Sequence, residues 1–83
     1  MDSEASLLVV DDSEANRDML SRRLQRKGYA VTVAAGGKQA LELVARYRYD
    51  LILLDIVMPD INGLEVLQTL RKTWSAADLP VII

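Results

Sequence analysis

The sequence predicts an α/β fold with an open parallel sheet, and three observations lead there. Two short apolar runs, Leu7 to Val10 and Leu51 to Leu54, are continuous rather than alternating, as in strands buried on both faces. Helix signatures stand between the strand candidates. The resulting order is βαβαβαβ, which parallel strands with right-handed crossovers satisfy as three layers.

After the first run, Ser13 is placed to cap a helix in which Ala15, Met19, Leu20 and Leu24 share one face. Gly28 follows its basic last turn at Arg26 and Lys27. Tyr29 to Ala34 sets Tyr29, Val31 and Val33 against smaller residues, as a second strand would. Gly36 and Gly37 then break the chain before a second helix with Ala40, Leu41 and Val44 on its inner face. Asn62 and Gly63 open a third helix, carrying Leu64, Leu67, Leu70 and Trp74 at spacings of three and four. Leu79 to Ile83 is the fourth strand.

Eighty-three residues, 51% apolar and 27% charged, make one domain and leave no room for a second. Ten Lys and Arg against twelve Asp and Glu give a net charge of −2, which argues against a general nucleic-acid or membrane-surface binder. No direct nucleic-acid contact is expected from this segment. Cys and His are absent, which removes zinc ligands, thiol nucleophiles, disulfides and any imidazole base. Chemistry is left to carboxylates, hydroxyls and lysines. The start, Met1-Asp2-Ser3-Glu4, is acidic, and no apolar run nears the roughly 18 residues of a membrane span, so the expected compartment is the cytosol. The closing run Val81-Ile82-Ile83 reads as a strand cut out of a longer protein.

Open parallel sheets bind ligands outside the carboxyl ends of their strands, where the strand order reverses. Asp11 and Asp12 close the first strand and Asp55 closes the third, so three carboxylates distant in sequence converge on one rim. Two unit charges about 5 Å apart at an effective dielectric near 20 repel by roughly 3 kcal/mol, which calls for protons or a cation. With oxygen ligands alone and no cage of six or more, the set suits Mg²⁺, which keeps several waters and takes one or two carboxylates plus phosphate oxygens. Carboxylates also attack phosphorus to give aspartyl phosphates. Asp55, alone after its strand, is the better nucleophile candidate, and the Asp11-Asp12 pair is placed to share the metal.

Plainer readings compete at several positions. Asp11, Asp12 and Ser13 are all favoured helix caps. Asp60 reads as a turn residue after Pro59. Gly28 and the Gly36-Gly37 pair read as helix punctuation, since no phosphate-cradle pattern surrounds them. Arg17, Arg22, Arg23, Arg26 and Lys27 read as a solvated helix face, with those nearest Asp12 the better candidates for docking a partner.

The segments LLVVDDSEANR and DLILLDIVMPDINGLEVL, with LPVII at the close, resemble the receiver domain of two-component response regulators across essentially the whole chain. The resemblance rests on the double Asp after strand one, the Asp after strand three, Pro59 four residues beyond it and Gly63 eight beyond it. It implies a flavodoxin-like receiver fold, whose strand order is 2-1-3-4-5, truncated here after the fourth strand. Residues 1–83 are then an incomplete receiver lacking the fourth helix, fifth strand and fifth helix. It further implies that Asp55 accepts phosphate from a histidine kinase or phosphotransfer protein. In the same resemblance Asp12 binds Mg²⁺ directly, Asp11 does so largely through water, and the backbone carbonyl of Val57 adds a ligand. The family's Thr or Ser after strand four and Lys after strand five would fall beyond Ile83.

Two other classes of function remain in view. A haloacid-dehalogenase-type phosphatase uses a strand-end Asp with Mg²⁺, but wants Asp-x-Asp after strand one, where this chain has an adjacent pair. A pseudo-receiver scaffold would bind metal without productive phosphorylation. The exposed strand Leu79 to Ile83 is a candidate surface for self-association.

Overall fold

A computed structural model describes residues 5–55, 58 and 60–83. Strand β1 (Ser6–Val10) leads to helix α1 (Glu14–Arg26), β2 (Ala30–Ala34), α2 (Gly37–Arg46), β3 (Leu51–Leu54), α3 (Gly63–Arg71) and β4 (Val81–Ile82). All pairings are parallel, and the sheet order is β2-β1-β3-β4. The alternation and the parallel sheet are as the sequence pattern predicts, and the strand order is the one the family resemblance implies.

Pleating decides which residues meet which helices. Leu8, Val10, Ile52 and Leu54 face one side and join Ala40 and Val44 of α2, Val66 and Leu70 of α3, and Tyr49, Met58 and Leu79 in a single core. Leu8 is fully buried and Ile52 and Leu70 are 1% exposed, so truncating any of them to Ala costs about 2–5 kcal/mol. The other side of the sheet carries Leu7, Val9 and Leu53 and is packed by α1, none of whose residues is fully buried.

The ends of the helices follow local chemistry. Ser13 accepts the Asn16 amide at the start of α1. At its end the Tyr29 amide donates to the Leu24 carbonyl and the Gly28 amide to the Gln25 carbonyl, with Gly28 at φ 94°, the paired bonds of a left-handed glycine cap. Asn62 caps α3 by accepting the Glu65 amide at 3.0 Å, and its own side chain donates to the Glu65 carboxylate.

Four expectations need correction. Helix α1 turns the half-buried stripe Arg17, Leu20, Ser21 and Leu24 to the sheet, while Ala15 and Met19 lie outside it. The cause is angular: Met19 sits about 100° round the helix from Leu20, so both cannot lie at the centre of one face. In α3 the buried positions are Gly63, Val66 and Leu70, and Leu64 is 52% exposed. Trp74 lies beyond the end of α3, in a turn where its amide reaches the Leu70 carbonyl. Strand pairing in β4 covers Val81 and Ile82 alone, with Leu79 buried in the preceding turn.

Strand β4 is a sheet edge, and its Ile82 and the following Ile83 are 53% and 56% exposed, beside the thinly covered α1 side. An exposed apolar edge recruits a further strand or a second chain. In a solution of these 83 residues alone, we expect concentration-dependent self-association by light scattering, reduced by Ile82→Lys. A monodisperse monomer at all concentrations contradicts it.

Candidate functional site

Strands β1 and β3 are neighbours in register, with Val10 opposite Leu54 as the last matched pair. The next residues, Asp11 and Asp55, therefore leave the sheet side by side, and the Asp55 amide donates to the Val10 carbonyl at 2.9 Å. Asp12 follows within the turn into α1. One carboxylate oxygen from each of Asp11, Asp12 and Asp55 lies within 4.8 Å of the others, with Asp11 and Asp55 half-buried and Asp12 exposed. The structure thus brings together the three acidic side chains singled out from the sequence. Val57 and Pro59 lie outside the described residues.

Two neighbours hold the Asp11 side chain in place. Its Oδ1 accepts the Ser13 amide at 2.9 Å, and its Oδ2 accepts a long, weak bond from Asn16 Nδ2 at 3.4 Å. The guanidinium of Arg17 donates to the Asp11 backbone carbonyl at 2.8 Å, which brings one positive charge onto the rim. Arg17 therefore belongs to the site's surroundings rather than to a free basic face. Arg22, Arg23, Arg26 and Lys27 are exposed, and Arg22 pairs with Asp18 at 3.1 Å, an exposed contact worth about 0.3–0.5 kcal/mol. Sequence reading passed over Asn16. An Asn one turn into a helix that follows a strand-end Asp is the signal that could have found it.

The donor set fits Mg²⁺. It is oxygen only, supplied by three carboxylates from two strand ends, and Asp12 keeps a solvent side open for the waters that Mg²⁺ retains. A cleft of about 270 Å³ adjoins it, lined by Asp11, Asp55, Val9, Leu20, Leu53 and Ile82 among others. A larger hollow, about 580 Å³, opens at the opposite end of the strands between Arg46, Arg48, Trp74 and Asp78. It contains no cluster of acidic ligands among the described residues.

Asp60, a further carboxylate on the β3–α3 connection, has a different occupation. Its Oδ1 accepts the Gly37 amide and its Oδ2 the Lys38 amide, each at 3.1 Å. These are the free amides at the start of α2, where Gly36 has no side chain to cap them. Asp60 is thus a remote helix cap, not simply the turn residue the sequence suggested. Bonds from the amides of Ile61, Lys38 and Gly37 hold its carboxyl below the usual carboxylate value.

Comparison with known proteins gives this arrangement its class. Residues 7–83 match the response regulator receiver domain family, and the chain belongs to it. It is 46% identical over 77 residues to the response regulator MprA of Mycolicibacterium vanbaalenii, covering 93% of this chain and 32% of that protein. MprA of Mycobacterium leprae is 47% identical over 77 residues, again across 93% of this chain and 33% of the relative. The chain therefore spans about a third of the length of these curated relatives. Among solved structures it is similar to the response regulator TrrA of Thermotoga maritima in complex with Mg²⁺–BeF, with TM-score 0.88 and 40% identity over 95% of this chain and 67% of that one. TrrA in complex with the histidine kinase ThkA is matched with TM-score 0.84 at 40% identity, over 93% of this chain and 66% of that one. The chain is thus a receiver domain of the two-component signalling class, with a flavodoxin-like parallel sheet. No helix among the described residues is long and apolar enough to cross a membrane.

The lowered Asp60 carboxyl yields a pH prediction. Because the folded value lies below the unfolded value of 3.8, its contribution is complete above about pH 4 and is lost as pH falls through the lower folded value. Acid titrations of stability for the native chain and Asp60→Ala should converge below that range and separate above it. Parallel curves throughout would remove Asp60 as the source.

Proposed function

We propose that this chain is the phosphoacceptor module of a two-component phosphorelay, with Asp55 as the residue phosphorylated. The observation that carries the reading is the meeting of three carboxylates, from two adjacent strand ends, within 4.8 Å. A carboxylate oxygen of Asp55 attacks the phosphorus of a phosphohistidine on a histidine kinase or phosphotransfer protein. The new P–O bond forms as the P–N bond breaks, and the imidazole nitrogen leaves with the bonding electrons.

Asp11, Asp12 and Asp55, with the backbone carbonyl of Val57, would hold Mg²⁺. When bound, the ion would offset negative charge on the phosphoryl oxygens. A cleft lined by both Asp11 and Asp55 adjoins the site, and Asp11 is oriented in advance by Ser13 and Asn16. The chain assists its own phosphorylation and dephosphorylation and is not a separate enzyme. The domain works in the cytoplasm and regulates an output domain or partner. The solved TrrA complexes with Mg²⁺–BeF and with ThkA support both the ion and the kinase as partners of a similar protein.

With Mg²⁺ and acetyl phosphate, intact mass should show one phosphoryl group on the native chain and none on Asp55→Asn, whose fold by circular dichroism is unchanged. Asp12→Asn should weaken Mg²⁺ binding by about tenfold or more in calorimetry. Undiminished labelling of Asp55→Asn overturns the assignment. Mg²⁺ binding by a native chain that never takes up phosphate would instead support a metal-binding scaffold.

A further inference from the structure

Gly36 and Gly37 have a steric role that helix punctuation does not explain. A Cβ on Gly36 would stand 2.8 Å from Asp60 Oδ2 and 3.0 Å from Oδ1. A Cβ on Gly37 would stand 2.7 Å from Val66 Cγ2 and 2.9 Å from the Ile61 carbonyl oxygen. The bare backbone at the start of α2 thus allows Asp60, Ile61 and Val66 to lie directly against it. The Asp60 carboxylate locks that approach with its two amide bonds.

That connection leaves β3 at Asp55 and enters α3 at Asn62. Met58, 7% exposed, is packed in the core between them, and Asn62 is tied to Glu65. Asp60 adds a polar tie to a different helix, and it does so from the stretch that begins at the acidic cluster.

We infer that Asp60 is a positioning residue for the Asp55 site. By clasping the N-terminus of α2 it anchors the α3 end of the connection that starts at Asp55, and through that anchorage it supports the spacing of the carboxylates on which metal binding and phosphoryl acceptance depend. The inference rests on the function proposed above and adds to it a residue that touches neither metal nor phosphoryl group. Residues that orient metal ligands from outside the coordination sphere typically change affinity by about 10–100-fold.

The test is a mutant cycle read by Mg²⁺ calorimetry and by the rate of labelling from acetyl phosphate, with Asp55→Asn as the unlabelled control. Asp60→Ala should weaken Mg²⁺ binding and slow labelling, each by about tenfold or more. Gly36→Ala, whose methyl displaces the carboxylate, should reproduce that loss. The double variant should be no worse than either single one, because both remove the same contact. Asp60→Asn keeps one acceptor oxygen and should fall between native and Asp60→Ala, which preserves a readout if the alanine variant folds poorly. A cap that matters only for stability would lower the unfolding midpoint and leave the Mg²⁺ affinity of the folded chain unchanged. Mg²⁺ affinity and labelling rate within twofold of native in folded Asp60→Ala or, where that variant does not fold, values for Asp60→Asn indistinguishable from native overturn the inference, while normal labelling of the native chain leaves the phosphoacceptor reading standing. A native chain that neither binds Mg²⁺ nor takes up phosphate overturns both.

Discussion

The site depends on the register between β1 and β3. Neighbouring strands lie about 4.8 Å apart, and residues that follow a matched pair begin at that spacing. Val10 opposite Leu54 is such a pair, so Asp11 and Asp55 emerge together. A slip of one residue would carry either Leu8 and Val10 or Ile52 and Leu54 off the core face, because alternate side chains point to opposite sides. The burial of those four side chains is therefore what holds the carboxylates together. Like charges would otherwise drive them apart, and apolar packing on the α2 and α3 face opposes that repulsion with several large side chains at once.

The two faces of the sheet contribute unequally. The α2 and α3 side contains the whole connected core, whereas α1 presents only half-buried residues to Leu7, Val9 and Leu53. Burial is consequently deepest on the α2 and α3 side. The cleft beside the site lies on the thinner side, where Leu20 and Ile82 form part of its wall.

What could be read from the sequence was local or periodic. Continuous apolar runs identified β1 and β3, and the residues directly after them identified Asp11, Asp12 and Asp55, because strand ends in a parallel sheet share one rim. Gly28 was legible as a helix terminator for the same reason, since its left-handed backbone belongs to the turn it closes. Contacts made across the fold were not legible. Asp60 and the glycines it meets are more than twenty residues apart, and each alone looks like turn chemistry. Only the packing of α2 beside α3, with Val66 and Ile61 against Gly37, makes them partners. The α1 face was misjudged because Ala15 and Met19 are apolar, although Arg17 and Ser21 share the inward stripe with Leu20 and Leu24. Trp74 was assigned to α3 because its spacing continues the helical period, which periodicity cannot distinguish from a turn that follows the last helical residue.

Helix capping and metal binding draw on the same carboxylates without excluding one another. An ionised carboxylate offers about four lone-pair directions. Asp11 uses one for the Ser13 amide and another for Asn16, which leaves further directions open toward Asp12 and Asp55. Its orientation is set by the start of α1 before any cation arrives, so ordering that side chain is no longer a cost of binding. Asp60 does the corresponding work for the start of α2. Two helix N-termini are thus pinned by acidic residues on one rim, and the polar backbone groups that each helix leaves unsatisfied become the means by which the acidic cluster keeps its shape.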